Sequence, residues 1–452
     1  MSSPDLGKTL SRAFQLHRSG NLQDALYLYA RVLKRDPMNA PALHYAALLG
    51  RHLNEHARAE GRPTKDDEVM RLMALSVAAA PTNAAAIHNF AKFKQDRGEL
   101  QEAKHLYDNA VRIDPDQGES WTNLGNVYGE LGNRMRAEAC WVRALECQRG
   151  TAEAEFNLSF LRLMKGDFAG GWAGYEARWQ SPTFVHSYGR GDLRSRRWHG
   201  EETEDTVFVH QEQGAGDAIM MARYIPLIEA RVGRVVIEVI RGMVTLFQAV
   251  FPGVEVAARG DRHLDHQANV PMLSLPHVFG TTLENIPEPV SFRVRSAEGS
   301  PIPVESCRIG LCWAGSTTHV NDRIRSMPFE ATFPMLDVPG LSWQSLQFGY
   351  DTAPPLEPLP VGDFLETARQ IARCELVVSV DTSIAHLAAS MGVPTIILLP
   401  FSAEWRWLQD REDSPWYPFA RLWRQESAGD WHGLAERVAH MLALMQQPSA
   451  AV

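Results

Sequence analysis

Three glycines at one fixed interval, Gly98, Gly132 and Gly166, set the strongest limit on how this chain can fold. The interval is 34 residues; Ala103 and Ala137 follow the first two glycines by five residues, and Gly171 takes the same place after the third. One copy reads Gly98…Ala103…Tyr107…Ala110…Pro115, and the next Trp121…Leu124-Gly125…Tyr128…Gly132…Ala137…Trp141…Ala144. An earlier copy, Gly20…Ala25…Tyr29…Pro37, has the same 17-residue step from glycine to proline as Gly98 to Pro115. From Pro37 to Pro81 the step is 44, so the second copy carries about ten extra residues, assigned to the polar stretch from His56 to Asp67. A unit of this length is a helix hairpin that cannot bury its own apolar face. Small residues such as Ala25, Ala103 and Ala137 let neighbouring helices approach and share a core, and stacking produces a concave superhelical surface. The Asp114-Pro115-Asp116 run falls on the repeat's terminal proline and reads as a helix boundary, not as a metal ligand.

Over roughly residues 6 to 180 the pattern resembles tetratricopeptide (TPR) helix pairs. That resemblance implies a surface for an extended peptide or another protein; a dimerisation or packing module is the plainer alternative.

A chain of 452 residues exceeds what one core supports, so two or three domains are expected. The net charge of −9 argues against a nucleic-acid partner, which would need cations to displace counterions from a phosphate backbone. The five cysteines are odd in number and scattered, with no Cys-x-x-Cys spacing, so neither a disulfide framework nor a zinc site is suggested. The N-terminus has no apolar h-region, and no apolar run reaches the ~18 residues of a membrane span. The expectation is a soluble, cytoplasmic protein that is not embedded in a membrane.

Past Trp172, Tyr175 and Trp179 the helical period fades, and Ser181 to Arg197 reads as a polar linker. Two α/β halves follow. Strands are expected at Thr206–His210, Val235–Ile240 and Val254–Ala258, with a helix from Asp217 to Val232. A Pro- and Ser-rich hinge spans Pro287 to Pro303. Further strands are expected at Arg308–Ala314, Leu341–Gln347, Leu376–Val380 and Thr395–Leu399. Strands alternating with helices imply doubly wound parallel sheets, whose ligands sit at the carboxyl ends of the strands.

Three of those strand ends carry unusual polar content. In His210-Gln-Glu-Gln-Gly-Ala-Gly-Asp217, Gly214 and Gly216 permit a close backbone approach, and Asp217 is either a helix cap or a general base. After Trp313 a loop carries Arg323 and Arg325, whose planar guanidinium groups suit bidentate contact with a diphosphate, or else are solvated surface charges. The third end is Asp381-Thr382-Ser383, where a strand breaks and restarts as a helix with His386 one turn on. The free N–H groups and partial positive charge of a helix start bind anions, although Asp, Thr and Ser at such a position are also ordinary caps.

Residues 198 to 425 resemble glycosyltransferase family 9-like domains found behind TPR arrays in bacterial proteins, relatives of the ADP-heptose heptosyltransferases. The matching stretches are His210-x-Glu-Gln-Gly-x-Gly-Asp217, Pro271-Met-Leu-Ser-Leu-Pro276, Trp313-Ala-Gly…Asn321-Asp-Arg-x-Arg-Ser326, Ser345-Leu-Gln347, Val380-Asp-Thr-x-x-Ala-His386 and Trp405-Arg-Trp…Arg411-Glu-Asp-Ser-Pro-Trp-Tyr417. Ala215 and Ser316 depart from the bulkier apolar residue and the asparagine usual in that group. The resemblance implies an α plus α/β chain: a TPR α-solenoid over 1–182, then a GT-B glycosyltransferase of two Rossmann-like lobes, 183–300 on the acceptor side and 301–452 for the nucleotide sugar. The layout is also similar to O-GlcNAc transferase.

The resemblance further implies Asp217 as catalytic base, and Arg323, Arg325, Asp381, Thr382, Ser383, His386, Gln347 and Trp313 as donor-binding residues. The expected activity is inverting, metal-independent transfer of a sugar from a nucleotide-activated donor to an acceptor hydroxyl, with the nucleotide sugar as substrate and no cofactor. The acceptor is expected to be a protein held by the TPR groove, flagellin being one candidate by analogy. A TPR adaptor with a non-catalytic domain and a transferase acting on a lipopolysaccharide-type glycan are the alternatives. The donor sugar, the nucleotide and the oligomeric state are left open.

Overall fold

A computed structural model describes residues 3–147, 151–189, 193–261, 265–296, 300–316, 322–349, 356–360 and 362–446. Its contacts divide the chain into two compact units, residues 1–158 and 159–452.

The first unit is built of helix hairpins: Ser3–Arg18 with Leu22–Leu33, Ala40–Ala59 with Asp66–Ala79, Ala84–Asp96 with Leu100–Ile113, and Gly118–Glu130 with Arg134–Glu146. The periodic glycines end the first helix of a pair. Gly20, Gly98 and Gly132 have φ of +79°, +74° and +79°, left-handed values that a side chain disfavours. Each is followed by the same bond across the helix end: Asn21 N–H to Leu16 O, Glu99 N–H to Lys94 O and Asn133 N–H to Tyr128 O, at 2.8–3.0 Å. Asn39, Asn83 and Asn133 then cap helices by accepting from the backbone N–H three residues on. Ala25, Ala103 and Ala137 are buried, as are Tyr29 and Tyr107. The polar stretch from His56 to Asp67 is partly helix. It lengthens the helix Ala40–Ala59 to 20 residues before the chain turns at Gly61, and buried Asn54 closes that turn by donating to Asp66 and accepting from the Lys65 N–H.

The second unit begins inside the helix Ala152–Met164 and takes in Phe168–Tyr175 and Pro182–Tyr188. The contact boundary thus lies before residue 182. The reason is packing: Trp172 stacks edge-on against Trp405 and Trp416, and Arg178 is buried in an ion pair with Glu212. Ser181–Arg197 is not simply a linker, because Ser181 caps the helix Pro182–Tyr188 and a short strand follows.

Two all-parallel sheets make up the rest. The first contains β1 (Arg196–Arg197), β2 (Thr203–His210), β3 (Val232–Val239), β4 (Glu255–Ala258) and β5 (Ala268–Pro271), in the order β1-β5-β2-β3-β4. The second contains β6 (Glu305–Cys312), β7 (Ser342–Ser345), β8 (Leu356–Glu357), β9 (Cys374–Val380), β10 (Thr395–Leu399) and β11 (Ala420–Arg424), in the order β11-β10-β9-β6-β7-β8. Both sheets are covered on two faces, so central strands such as Val235–Val239 and Leu376–Val380 are continuous apolar runs, Glu238 and Ser379 apart. Helix Trp431–Met445 buries Trp431, Leu434, Val438 and Leu442 with Ile309, Leu311, Val378 and Leu398 of the second sheet. The helix expected from Asp217 to Val232 is broken into Ala215–Met221, a 3-10 turn and Ile225–Glu229. Pro226 has no N–H to continue the ladder and starts the second piece instead.

Candidate active site

At the end of β2 the chain passes through Gln211 to Gly214 before the helix Ala215–Met221 starts. Bonds from several directions hold this loop. Gln211 Oε1 accepts from the Ile240 N–H at 2.9 Å, Gln213 Nε2 donates to the Tyr175 hydroxyl at 2.9 Å, and Glu212 Oε1 accepts from Arg178 Nε and Nη2 at 3.0 and 2.8 Å. Burial pushes the Glu212 carboxyl up to about 7 against the pull of Arg178. Asp217 lies in the helix's first turn, where its Oδ2 accepts from the Gly214 N–H at 3.0 Å. Its position is therefore inside the helix start, with Gly214 as the cap.

At the end of β9 the helix Ser383–Ser390 starts with no side-chain cap. The Thr382 hydroxyl turns inward, 3.1 Å from Ser379 Oγ, so among the described residues no side chain caps the first-turn N–H groups of that helix. Arg325 lies beside this start: its Nη1 donates to the Asp381 carbonyl at 3.3 Å, and its Nε, 3.6 Å from Asp322 Oδ1, makes no hydrogen bond. Asp381 is buried, which pushes its carboxyl up to about 6; Glu404 adds to the rise, while Arg406 and Arg325 oppose it. The His386 ring is buried, stacked 5.2 Å from Trp407, with Nδ1 2.8 Å from the Tyr417 hydroxyl and Nε2 3.9 Å from Asp381 Oδ1. Burial, and then repulsion by Arg406, Arg223 and Arg325, hold it well below its usual pKa, so it is neutral at pH 7.

The two helix starts meet. A methyl group built on Gly216 would come within 2.7 Å of His386 Cδ2 and 3.5 Å of Ser383 Cα, so only glycine allows this approach. Next to the contact, Asp217 Oδ1 and Glu404 Oε2 are ion-paired to one guanidinium, that of Arg406. Arg406 lies 4.5 Å over the Trp405 ring. Burial disfavours its charge, but Asp217 and Glu404 outweigh that and raise its pKa further.

Asp217, Arg325, Asp381, Thr382, Ser383, His386 and Gly216 are thus drawn to one junction, with Gly214 as the cap behind Asp217. Two other expected donor contacts stand beside this junction with their polar groups spent or their rings buried: Cys312 Sγ lies 3.5 Å from Gln347 Oε1 and 3.7 Å from Thr382 Oγ1. Gln347 spends its amide on backbone, its Oε1 accepting from the Trp313 and Ala314 N–H groups at 3.1 and 2.9 Å and its Nε2 donating to the Ala314 carbonyl at 3.0 Å. That is a clamp on the end of β6. The Trp313 ring packs in the apolar core 4.9 Å from Phe329. Arg323 is exposed. His386 is a wall between the lobes rather than an open phosphate donor, because Gly216 covers its ring. Sequence reasoning did not single out Arg406, Glu404 or Arg178; the one available signal was a charge flanked by two indoles in Trp405-Arg-Trp407.

A family model described as glycosyltransferase family 9 (heptosyltransferase) matches residues 355–407, which hold Asp381, Thr382, Ser383, His386 and Arg406. A tetratricopeptide repeat model matches residues 106–139. Protein FlbA of Caulobacter vibrioides is 24% identical over 424 residues, covering 84% of this chain and 70% of that protein. Among solved structures, a crystal structure of MamA is 17% identical over 36% of this chain and 91% of its own, with a TM-score of 0.32. A thermophilic TPR protein of Thermus thermophilus is 24% identical over 40% of this chain and 94% of its own, with a TM-score of 0.30. Among the described residues no helix is long and apolar enough to cross a membrane.

Proposed function

From a chain that joins TPR repeats to a glycosyltransferase family 9-like α/β region, we propose an inverting, metal-independent glycosyltransferase that moves a sugar from a nucleotide-activated donor to a hydroxyl of a protein recruited by the TPR repeats. One observation carries the reading: the helix start bearing Asp217 in one lobe abuts the uncapped helix start after Asp381 in the other. Departure of the nucleotide develops negative charge on the bridging phosphate oxygen. Fixed donors offset it, namely the N–H groups following Thr382 and the Arg325 guanidinium. Asp217, from the facing lobe, takes the acceptor proton as the hydroxyl attacks the far side of the sugar, which inverts the anomeric centre. Donor-binding and base groups thus come from different lobes and need one closed arrangement to act together.

A second reading, a TPR adaptor with a non-catalytic glycosyltransferase-like domain, draws on the Asp217–Arg406 pair, since both oxygens of that carboxylate are bonded as in a structural clamp. The two readings part on incubation of the protein with radiolabelled nucleotide sugars and a bacterial lysate. Label on polypeptide, undiminished by EDTA, supports the proposed function. Label on glycolipid alone moves the acceptor to a glycan. Binding without transfer or slow donor hydrolysis selects the adaptor.

A further inference from the structure

Arg406 sits where both halves of the proposed reaction need a cation. It projects from the 3-10 turn Trp405–Trp407 of the second lobe, yet one of its ion pairs is to Asp217 of the first. Its side chain and that of Asp217 are each 11% exposed, so water screens the pair weakly. Three carboxylates act on this one guanidinium: Asp217, Glu404 and Asp381. Against them stand Arg406 itself and, beside Asp381, Arg325, with His386 neutral. A diphosphate added at the Thr382–Ser383 helix start brings further negative charge to Asp217, Glu404 and Asp381, and Arg406 is the cation that all three already share.

A buried pair of this kind is weak grounds for stability, because desolvation takes back much of the attraction. A role in recognising an anion accounts for it better. The guanidinium offers five N–H donors in a planar fork, and its bonds to Asp217 and Glu404 use one terminal nitrogen each. The fork thus has more N–H donors than these two bonds use.

Resting on the glycosyltransferase reading, we propose that Arg406 is a donor-binding residue shared between Asp217 and the donor's phosphates, so that phosphate binding and the freeing of Asp217 as base are coupled through one guanidinium. When the phosphates engage Arg406, its hold on Asp217 Oδ1 weakens, and that oxygen faces the acceptor hydroxyl. The carboxylate is then released only when a donor is in place. Water is a poor competitor for the proton-accepting oxygen until then.

A double-mutant cycle on the full chain tests this, with calorimetric titration of ADP, UDP, GDP, CDP, dTDP and CMP to find the nucleotide that binds. Arg406→Gln should weaken binding of that nucleotide ~10- to 100-fold. Asp217→Asn, which removes the competing carboxylate, should tighten it ~3- to 10-fold. In the Arg406→Gln background the gain from Asp217→Asn should disappear. Unchanged affinity in Arg406→Gln overturns the proposal, and so does a gain from Asp217→Asn that is equal in both backgrounds, since direct repulsion would then explain it. If Arg406→Gln does not fold by circular dichroism, Arg406→Lys replaces it, with intermediate affinity expected and wild-type affinity contradicting the role. A wild-type protein that binds none of the six nucleotides overturns the glycosyltransferase reading itself, a distinct outcome.

Discussion

Arg325 can lie across the end of β6 because residue 315 is glycine, where a methyl group would fall 2.5 Å from its Nη2. With Nε outside hydrogen-bond reach of a partner and one long bond to the Asp381 carbonyl, this guanidinium is held near the helix start with donors to spare. Arg325→Ala should therefore weaken nucleotide binding ~10- to 100-fold with no loss of melting temperature; equal affinity by calorimetry would contradict that role. Asp381 makes a different kind of prediction. Its carboxyl is raised from 3.8 to about 6, chiefly by burial, so the folded protein holds the proton more tightly than the unfolded chain. The neutral form's advantage is complete below pH ~4 and is lost as pH climbs through about 6. His386, lowered by burial, works in the opposite direction, costing stability as pH falls through 6.5. Asp381→Asn removes only the first effect. Its stability relative to wild type should rise between pH ~4 and ~6 and level off above, measured by urea unfolding at fixed pH. A difference flat across that window would mean that the carboxyl titrates normally.

The elements differ in how much of them local chemistry determines. The repeat hairpins were legible because a left-handed helix end needs glycine whatever packs around it, and Gly132, with φ of +79° and open space beyond its Cβ position, isolates that need. Gly132→Ala should cost ~1 kcal/mol, read as a lower midpoint in the denaturation of the helical unit; an unchanged midpoint would show that the φ requirement is not real. Strands β2, β3, β9 and β10 were legible as apolar runs. Strands β5 and β11 were not, since β5 is four residues ending in Pro271 and β11 has arginines at positions 421 and 424. Each gains strand form from a parallel neighbour elsewhere in the chain. Two of the expected donor contacts illustrate the same limit. Gln347 and Trp313 sit at strand ends, where polar or aromatic content suggests a site, and only the packed structure shows the amide clamped to backbone and the indole in the core. Arg406 was hidden for the converse reason. Its partner Asp217 lies 189 residues away, so no local pattern marks the pair.

The α/β region as a whole turns on the junction between its two sheets. Each lobe alone is an ordinary doubly wound sheet, and neither contains both Asp217 and the uncapped helix start after Asp381. The proposed chemistry needs the place where Gly216 admits the second lobe's helix against the first, bringing Asp217, Arg406 and Asp381 into one electrostatic cluster. The aromatic layer of Trp172, Trp405 and Trp416 ties the helices before β1 to that same junction, so the last repeat helices serve the α/β unit rather than the solenoid. If the junction is a catalytic centre, removing the Asp217 charge while keeping its shape must spare donor binding and stop the chemistry. Single-turnover transfer of labelled sugar by wild-type and Asp217→Asn protein, each saturated with the same donor and acceptor, measures this. The expected result is a ~10²- to 10⁴-fold slower transfer with nucleotide affinity kept or improved; equal transfer rates would contradict the assignment.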